Sequence, residues 1–369
     1  MNLFRTKAIN LPTMNLPAIR LSQQKIKRQD LSTPQEVVAY MGAMQAQDLE
    51  MSKWAVGLRL SNSTKTLIEN ALNDGSLVRT HILRPTWHIV SGQDVRWMMA
   101  LTGKNIKTLA ATYERKLGID AALFVKANNL IIKALEGGKS LSRQELMQEL
   151  EKGGIKTDSS RAVHFMMNAE TDAIVCNGTP GGKEITYALL DEKVPKGLIL
   201  NKEESLFTLA QRYFRSHSPA TLQDFHWWSG LSMTDARAGL QSIQNDLEQI
   251  EYEGKSYFMH RETEVSDSED SVFMLPAFDE YCVSYKDRSA VFDKHLQGQA
   301  ITSNGIFKPI IVINGKVDGV WKRTIQKNKV LIEPTFFDAS KKVDVEKLQS
   351  AAQGFGDFLE LEVEVKKTW

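Results

Sequence analysis

One unit, written more than once, constrains this chain more than any other feature. From Ala121 to Leu135 the residues Leu123, Phe124, Ala127, Leu130, Ile131, Ala134 and Leu135 recur at helical spacing. Ser142, with Glu145 three positions on, reads as a capping box opening a helix through Leu150, and Gly153-Gly154 stops it. A third helix is expected over Ser160–Ala169. The strand-like runs Ala173–Cys176 and Ile185–Leu189 then flank Asn177-Gly178-Thr179-Pro180-Gly181-Gly182, a hairpin signal. About 80 residues later the order returns, with helices at Glu203–Arg215, Thr221–Trp228 and Thr234–Asp246. Its strands are Leu247–Tyr252 and Lys255–Met259 around Glu253-Gly254. A weaker copy precedes both: helices Thr33–Met44 and Thr66–Leu72, then a long hairpin over Leu77–Val90. Three helices followed by a two-stranded hairpin form a winged helix-turn-helix.

Beyond Ser266-Asp267-Ser268-Glu269-Asp270, an acidic loop, the texture turns to short strands: Ile310–Ile313, Val317–Trp321, Lys329–Ile332 and Leu359–Val365, with turns at Asn314-Gly315 and Asp318-Gly319 and one helix, Val345–Ala352. The expected fold is therefore α+β: three tandem winged helix-turn-helix units at 1–120, 121–200 and 201–265, the first carrying the candidate site, followed by a β-barrel-like domain at 266–369.

Composition limits the partners. The chain has 46 basic and 45 acidic residues, so bulk positive charge cannot supply nucleic-acid affinity. The charge is uneven, however: residues 1–120 hold 16 basic against 9 acidic, 121–250 hold 14 against 16, and 251–369 hold 16 against 20. The basic excess of the first third points to a polyanion-facing segment on a near-neutral to acidic body. Cys176 and Cys282 are too few for a disulfide framework and read as small buried residues of a reducing compartment. Arg5 and Lys7 are followed by Asn10, Pro12, Asn15 and Pro17, not by the apolar core of a signal peptide. No run approaches the ~18 apolar residues that cross a bilayer. A soluble, cytoplasmic monomer with no membrane partner is expected.

The usual catalytic signatures are absent: no phosphate-cradling glycine loop, CxxC, HExxH or GxSxG. His81 and His88, seven apart, would fall on opposite faces of one strand, so no metal site is expected, nor any cofactor. The stretch Val78–Val90 does concentrate Arg79, His81, Arg84, Thr86 and His88 around Trp87 on what should be a projecting wing. Those side chains suit phosphate oxygens and a stacked base; hydrogen-bonded histidines around a core tryptophan explain the same residues. The third helices of the later units offer only Arg161, His164 and Arg237, fewer than a major-groove reader presents. Met44-Gln45-Ala46-Gln47-Asp48 closes the first expected helix, where positions i and i+2 diverge. Gln45 and Gln47 can serve one pocket only if the chain leaves the helix there, and a polar helix terminus is the simpler reading of the spacing.

Taken in order, the Gln45–Asp48 segment, Arg79-Thr80-His81, Arg84-Pro85-Thr86-Trp87-His88, Pro219-Ala220-Thr221-Leu222, Trp227-Trp228-Ser229-Gly230-Leu231, Leu275-Pro276-Ala277-Phe278-Asp279-Glu280-Tyr281 and Tyr285-Lys286-Asp287-Arg288 resemble the AlkZ-like winged-helix DNA glycosylases, from about Leu21 to the carboxy terminus. The resemblance implies three winged helices with a carboxy-terminal β-barrel. It also implies a monofunctional hydrolase of DNA repair, acting on double-stranded DNA that carries alkylated bases or interstrand crosslinks. The family's catalytic motif, Gln-x-Gln or Gln-x-Asp, carries over to Gln45 and Gln47 in the double-glutamine form, which resembles the crosslink-unhooking branch. Arg79, His81, Arg84, Thr86 and His88 become candidates for DNA binding. Two other readings stay open on sequence: a non-enzymatic DNA-binding or regulatory protein, and an interaction scaffold.

Overall fold

The computed structural model describes residues 15–179, 184–263, 270–340 and 343–366. The readings on Arg5–Pro12, on positions 180–183 of the hairpin turn and on Ser266–Glu269 lie outside them.

Capping sets the helix starts. Pro34–Met41 opens on a capping box of Thr33 and Glu36 and stops at Gly42, whose φ of +80° ends the helix. The expected helix to Met44 is thus cut short, and Met44–Gln45 is a strand. Asp48 then caps Leu49–Gly57, a helix the sequence reading missed, and Thr64 caps Lys65–Asn73. Strands Leu77–His81 and Trp87–Ser91 form the hairpin, with Met44–Gln45 paired to its second strand. A long helix, Val95–Lys116, also unforeseen, leads to the next segment.

There the expected elements recur: helix Ala121–Leu135, helix Arg143–Lys152 with its Ser142/Glu145 capping box, helix Ser159–Thr171, and strands Val175–Asn177 and Thr186–Leu189, joined by an unforeseen short strand, Leu141–Ser142. In the third copy, helices Lys202–His217, Leu222–Ser229 and Met233–Ser242 precede strands Leu247–Tyr252 and Lys255–His260. The place of the short strand is taken by one bridge, Ala220 to Phe258. Each copy therefore runs helix, short strand, two helices, hairpin, and each short strand pairs with the hairpin's second strand.

The carboxy-terminal sheet has five strands in the order Glu362–Val365, Lys329–Phe336, Lys316–Ile325, Ile310–Ile313, Val272–Leu275, antiparallel except for the first pair. It is an open half-barrel, and helix Val345–Leu359, longer than expected, packs against it. No helix among the described residues is long and apolar enough to cross a membrane.

The cores do not follow the chain's order. One joins Val37, Met51 and Trp54 to Ile311, Trp321 and Phe355 of the last segment. A second joins Val78, Ile82 and Val90 of the first hairpin to Leu209, Tyr213 and Trp228 of the third copy. A third belongs to the second copy alone, around Ile131, Leu146 and Phe165. The first hairpin is consequently buried along almost its whole length. This corrects the expectation of a projecting wing: its alternate residues face apolar partners in two different neighbours.

Candidate functional site

The first hairpin organises the site by alternation. Across its sheet Thr80 stands opposite His88, and His88 opposite Gln45, so these three share a face. Arg79 opposite Ile89, and His81 opposite Trp87, share the other.

Gln45 is held at two points. Its backbone N–H donates to Glu280 Oε1 at 2.6 Å, and its side-chain Oε1 accepts from Arg84 Nη2 at 3.0 Å. Arginine only donates, so the amide oxygen must face Arg84 and the amide orientation is fixed. One more ladder bond follows, Ala46 N–H to Trp87 O at 2.7 Å, before the chain bends through Gln47 into the cap of the next helix. In extended chain positions i and i+2 share a side. Leaving the helix at Gly42 frees Gln45, buried, and Gln47, exposed, from the opposed directions that a helix would give them.

Glu280, fully buried, also accepts from Trp228 Nε1 at 3.1 Å and from the Ser284 hydroxyl. Burial pushes its carboxyl up, but the adjoining His217 and the Ser284 hydroxyl outweigh that and lower it to about 2. The Gln45 and Trp228 N–H donors favour the same ionised form. His88 Nδ1–H donates to Thr86 O at 3.0 Å; burial first, then the Arg84 charge, push this ring down to about 3, so it is neutral at physiological pH. Its Nε2, with Thr80 Oγ1, Thr86 Oγ1 and Arg84 Nε, is buried without a hydrogen-bond partner among the described residues.

The remaining sequence candidates sit on the other face and have internal partners. Arg79 Nε donates to Ala46 O at 3.0 Å, its guanidinium lies 4.3 Å from the Trp87 ring centroid, and burial lowers its pKa. It therefore braces the Gln45–Gln47 segment from behind. His81 Nδ1 pairs with Glu170 of helix Ser159–Thr171, and its ring lies 4.6 Å from that of Trp87, whose Nε1 also donates to Glu170. Both cysteines are buried, and burial raises each thiol to about 12.

Sequence reasoning gave no role to Glu280, Ser284 or Trp228. The only signal was that Asp279-Glu280-Tyr281 and Trp227-Trp228 belong to the ordered motif set. With Arg84 and Glu280 of opposite charge against Gln45, and the exposed amide of Gln47 two residues on, the segment can orient a small polar molecule such as water.

The model of one family, "DNA glycosylase AlkZ-like", matches residues 38–358. A curated protein of Streptomyces sahachiroi, "Interstrand DNA cross-link repair glycosylase", is 21% identical over 351 residues, which cover 91% of this chain and 93% of that protein. The solved structure of the Streptomyces sahachiroi DNA glycosylase AlkZ superposes with a TM-score of 0.80 at 19% identity, over 98% of this chain and all of that one. The family match spans the short strand, the first hairpin, Glu280 and most of the half-barrel: the chain belongs to the AlkZ-like DNA glycosylase family.

Proposed function

We propose that the chain is a monofunctional DNA glycosylase that excises N7-alkylated purines from duplex DNA and unhooks interstrand crosslinks, acting as a monomer built on three winged-helix units. The observation that supports this most is the fixing of Gln45 by Glu280 at its backbone and by Arg84 at its side chain, next to an exposed Gln47. The name of the Streptomyces sahachiroi relative supports crosslinked DNA as a substrate.

Two carboxamides are enough for this chemistry. Alkylation at N7 makes the purine cationic; when the C1′–N9 bond breaks, its electron pair neutralises the ring and the base leaves without a proton. A water held by the amides adds to C1′ and gives its proton to solvent, leaving an abasic site. The glutamines position that water and turn amide oxygen dipoles toward the developing positive charge. Gln47 Oε1 and the second lone pair of Gln45 Oε1 are the acceptors for it. An undamaged purine, lacking the ring charge, is left in place. Arg84 is the residue that holds the backbone near the lesion, while Arg79, His81, Thr86 and His88 keep the strand in position.

Release of 7-methylguanine from methylated duplex, and strand separation of a crosslinked duplex on a denaturing gel, test this directly. Gln45→Ala and Gln47→Ala should each slow single-turnover release by about 100-fold or more, the effect of losing one preorganised dipole, while the protein stays folded, Gln45→Ala at a cost of about 1–3 kcal/mol for the Arg84 N–H left without its acceptor. Full activity in both variants would exclude the mechanism, and no release by the parent protein from either substrate would exclude the activity.

A further inference from the structure

Trp227 lies at the end of helix Leu222–Ser229, exposed over about a third of its surface (36%). Its indole N–H donates to Val283 O at 3.1 Å, which fixes the ring plane. Three cations from two parts of the chain gather round that ring: Lys286 Nζ at 4.6 Å from the centroid, Arg84 Cζ at 5.6 Å and Arg288 Cζ at 6.0 Å. Among the described residues none of the three makes an ion pair with a carboxylate. Glu280 attracts Arg84 from beyond ion-pair distance, its carboxylate being taken up by Gln45 N–H, Trp228 Nε1–H and the Ser284 hydroxyl, and the acids near Lys286 and Arg288 are engaged elsewhere. Asp224 is buried, capping its own helix and accepting the backbone N–H groups of Lys286 and Asp287, while Asp287 pairs with Lys255. Arg288 is tethered by a bond from its Nε to Cys282 O at 2.8 Å.

Three like charges around one side chain repel each other. A carboxylate would relieve the repulsion and cancel the charge; an aromatic ring attracts each cation and leaves the charge intact. Such an arrangement is stable when an anion completes it. Arg84 also gives the patch its address, because the same guanidinium that faces Trp227 bonds Gln45 Oε1. An anion on the patch thus lies one arginine side chain from the glutamine.

We propose that Trp227, Lys286 and Arg288, with Arg84, form a binding site for a phosphodiester of the lesion-bearing DNA strand, next to the sugar that Gln45 and Gln47 attend. The site rests on the glycosylase reading and adds to it a phosphate contact built from the third helical copy and the segment before the half-barrel. Arg288 and Arg84 supply planar donors to the phosphate oxygens, Lys286 a mobile point charge, and Trp227 the platform that holds them.

The test is duplex binding as a function of salt, measured on undamaged DNA so that it stands apart from base release. Lys286 is exposed, and its side chain touches only the Trp227 ring among the described residues, so its replacement leaves the fold intact. Lys286→Ala should weaken binding and reduce the slope of log K against log salt by about 1, the share of one phosphate contact. Lys286→Glu should reduce it further, and Lys286→Arg should restore it. Lys139→Ala removes the same charge from an exposed site in the second copy and should leave the slope unchanged. The proposal is overturned if Lys286→Glu binds with the parent slope, or if Lys139→Ala lowers the slope as much as Lys286→Ala. Failure of the parent protein to release any base would instead count against the glycosylase reading, leaving the slope to report on the phosphate site alone.

Discussion

Glu280 carries a negative charge with almost no exposure to water, an arrangement that costs several kcal/mol unless donors surround it. Gln45 N–H, Trp228 Nε1–H and the Ser284 hydroxyl are those donors, and each comes from a different element. The carboxylate is thus the point at which the first, third and last parts of the chain agree on where Gln45 stands. Glu280→Gln keeps the shape but replaces an acceptor oxygen with an NH2 group that faces a donor. One buried N–H or O–H must then go unpaired, at roughly 1–3 kcal/mol, more because the lost partner was charged. Denaturant unfolding should show that loss. Single-turnover base release should fall beyond what the unfolded fraction accounts for, since in either amide orientation Gln45 N–H loses a charged acceptor. Unchanged release at full occupancy of the folded state would mean that Glu280 is structural only.

Comparison of the three copies shows what is special about the first. In the second copy Ser142 is both the last residue of the short strand and the helix cap; in the third, Ala220 pairs and Thr221 caps. Only the first inserts residues between the two, placing Ala46 and Gln47 between the strand residue Gln45 and the cap Asp48. The helix–hairpin copies were legible because their signals are local: Ala121–Leu135 and Leu247–Tyr252 are found at the expected residues, and the Ser142 capping box is in place. Leu49–Gly57 was not legible, since Met51–Gly57 is buried all round and shows no polar face. Val95–Lys116 fails for the opposite reason, with Leu109 and Tyr113 exposed and its buried apolar residues confined to the stretch from Val95 to Ile106. Gly42 did carry a stop signal that would have released Gln45 and Gln47 from the helix. Glu280 had none, lying 235 positions from the N–H it receives. Among the described glycines with positive φ, the tightest approach is Gly230, at φ +65°, where an added Cβ would lie 2.1 Å from Leu83 O at the hairpin tip. Gly230→Ala therefore combines left-handed strain with a backbone clash and should cost about 2–4 kcal/mol in denaturant unfolding. Because the tip carries Arg84, base release should drop as well; parent-like stability would show that the tip moves freely.

At the scale of the whole molecule, the charge count by thirds does not carry over to the folded surface. Of the basic residues in the first third, Arg20, Lys53, Arg59 and Arg79 are buried on internal partners, Arg20 on Pro219 O and over the Tyr285 ring at 3.6 Å. Meanwhile Lys286 and Arg288, from the net-acidic last third, stand at the Trp227 ring with no carboxylate ion pair among the described residues. Folding redistributes the charge because the chain's ends share a core, and Arg59 is the clearest link. With no exposure, it donates to both oxygens of Asp279 at 2.9 Å, to Gln24 O at 2.8 Å and to Ala55 O at 2.7 Å. A pair so fully bonded adds little against an apolar replacement of both partners, but losing one partner strands the other charge at about 3–5 kcal/mol. Arg59→Met should therefore lower stability by that amount. Trp54, in the first segment, and Trp321, in the half-barrel, share one core and both lie against Phe355. Unfolding read from single-tryptophan variants retaining one or the other should give coincident transitions, shifted together by Arg59→Met. Separate transitions would show that the half-barrel folds apart from the segment that carries Gln45. In that case Asp279, and Glu280 beside it, could not fix the glutamine in the way the geometry requires.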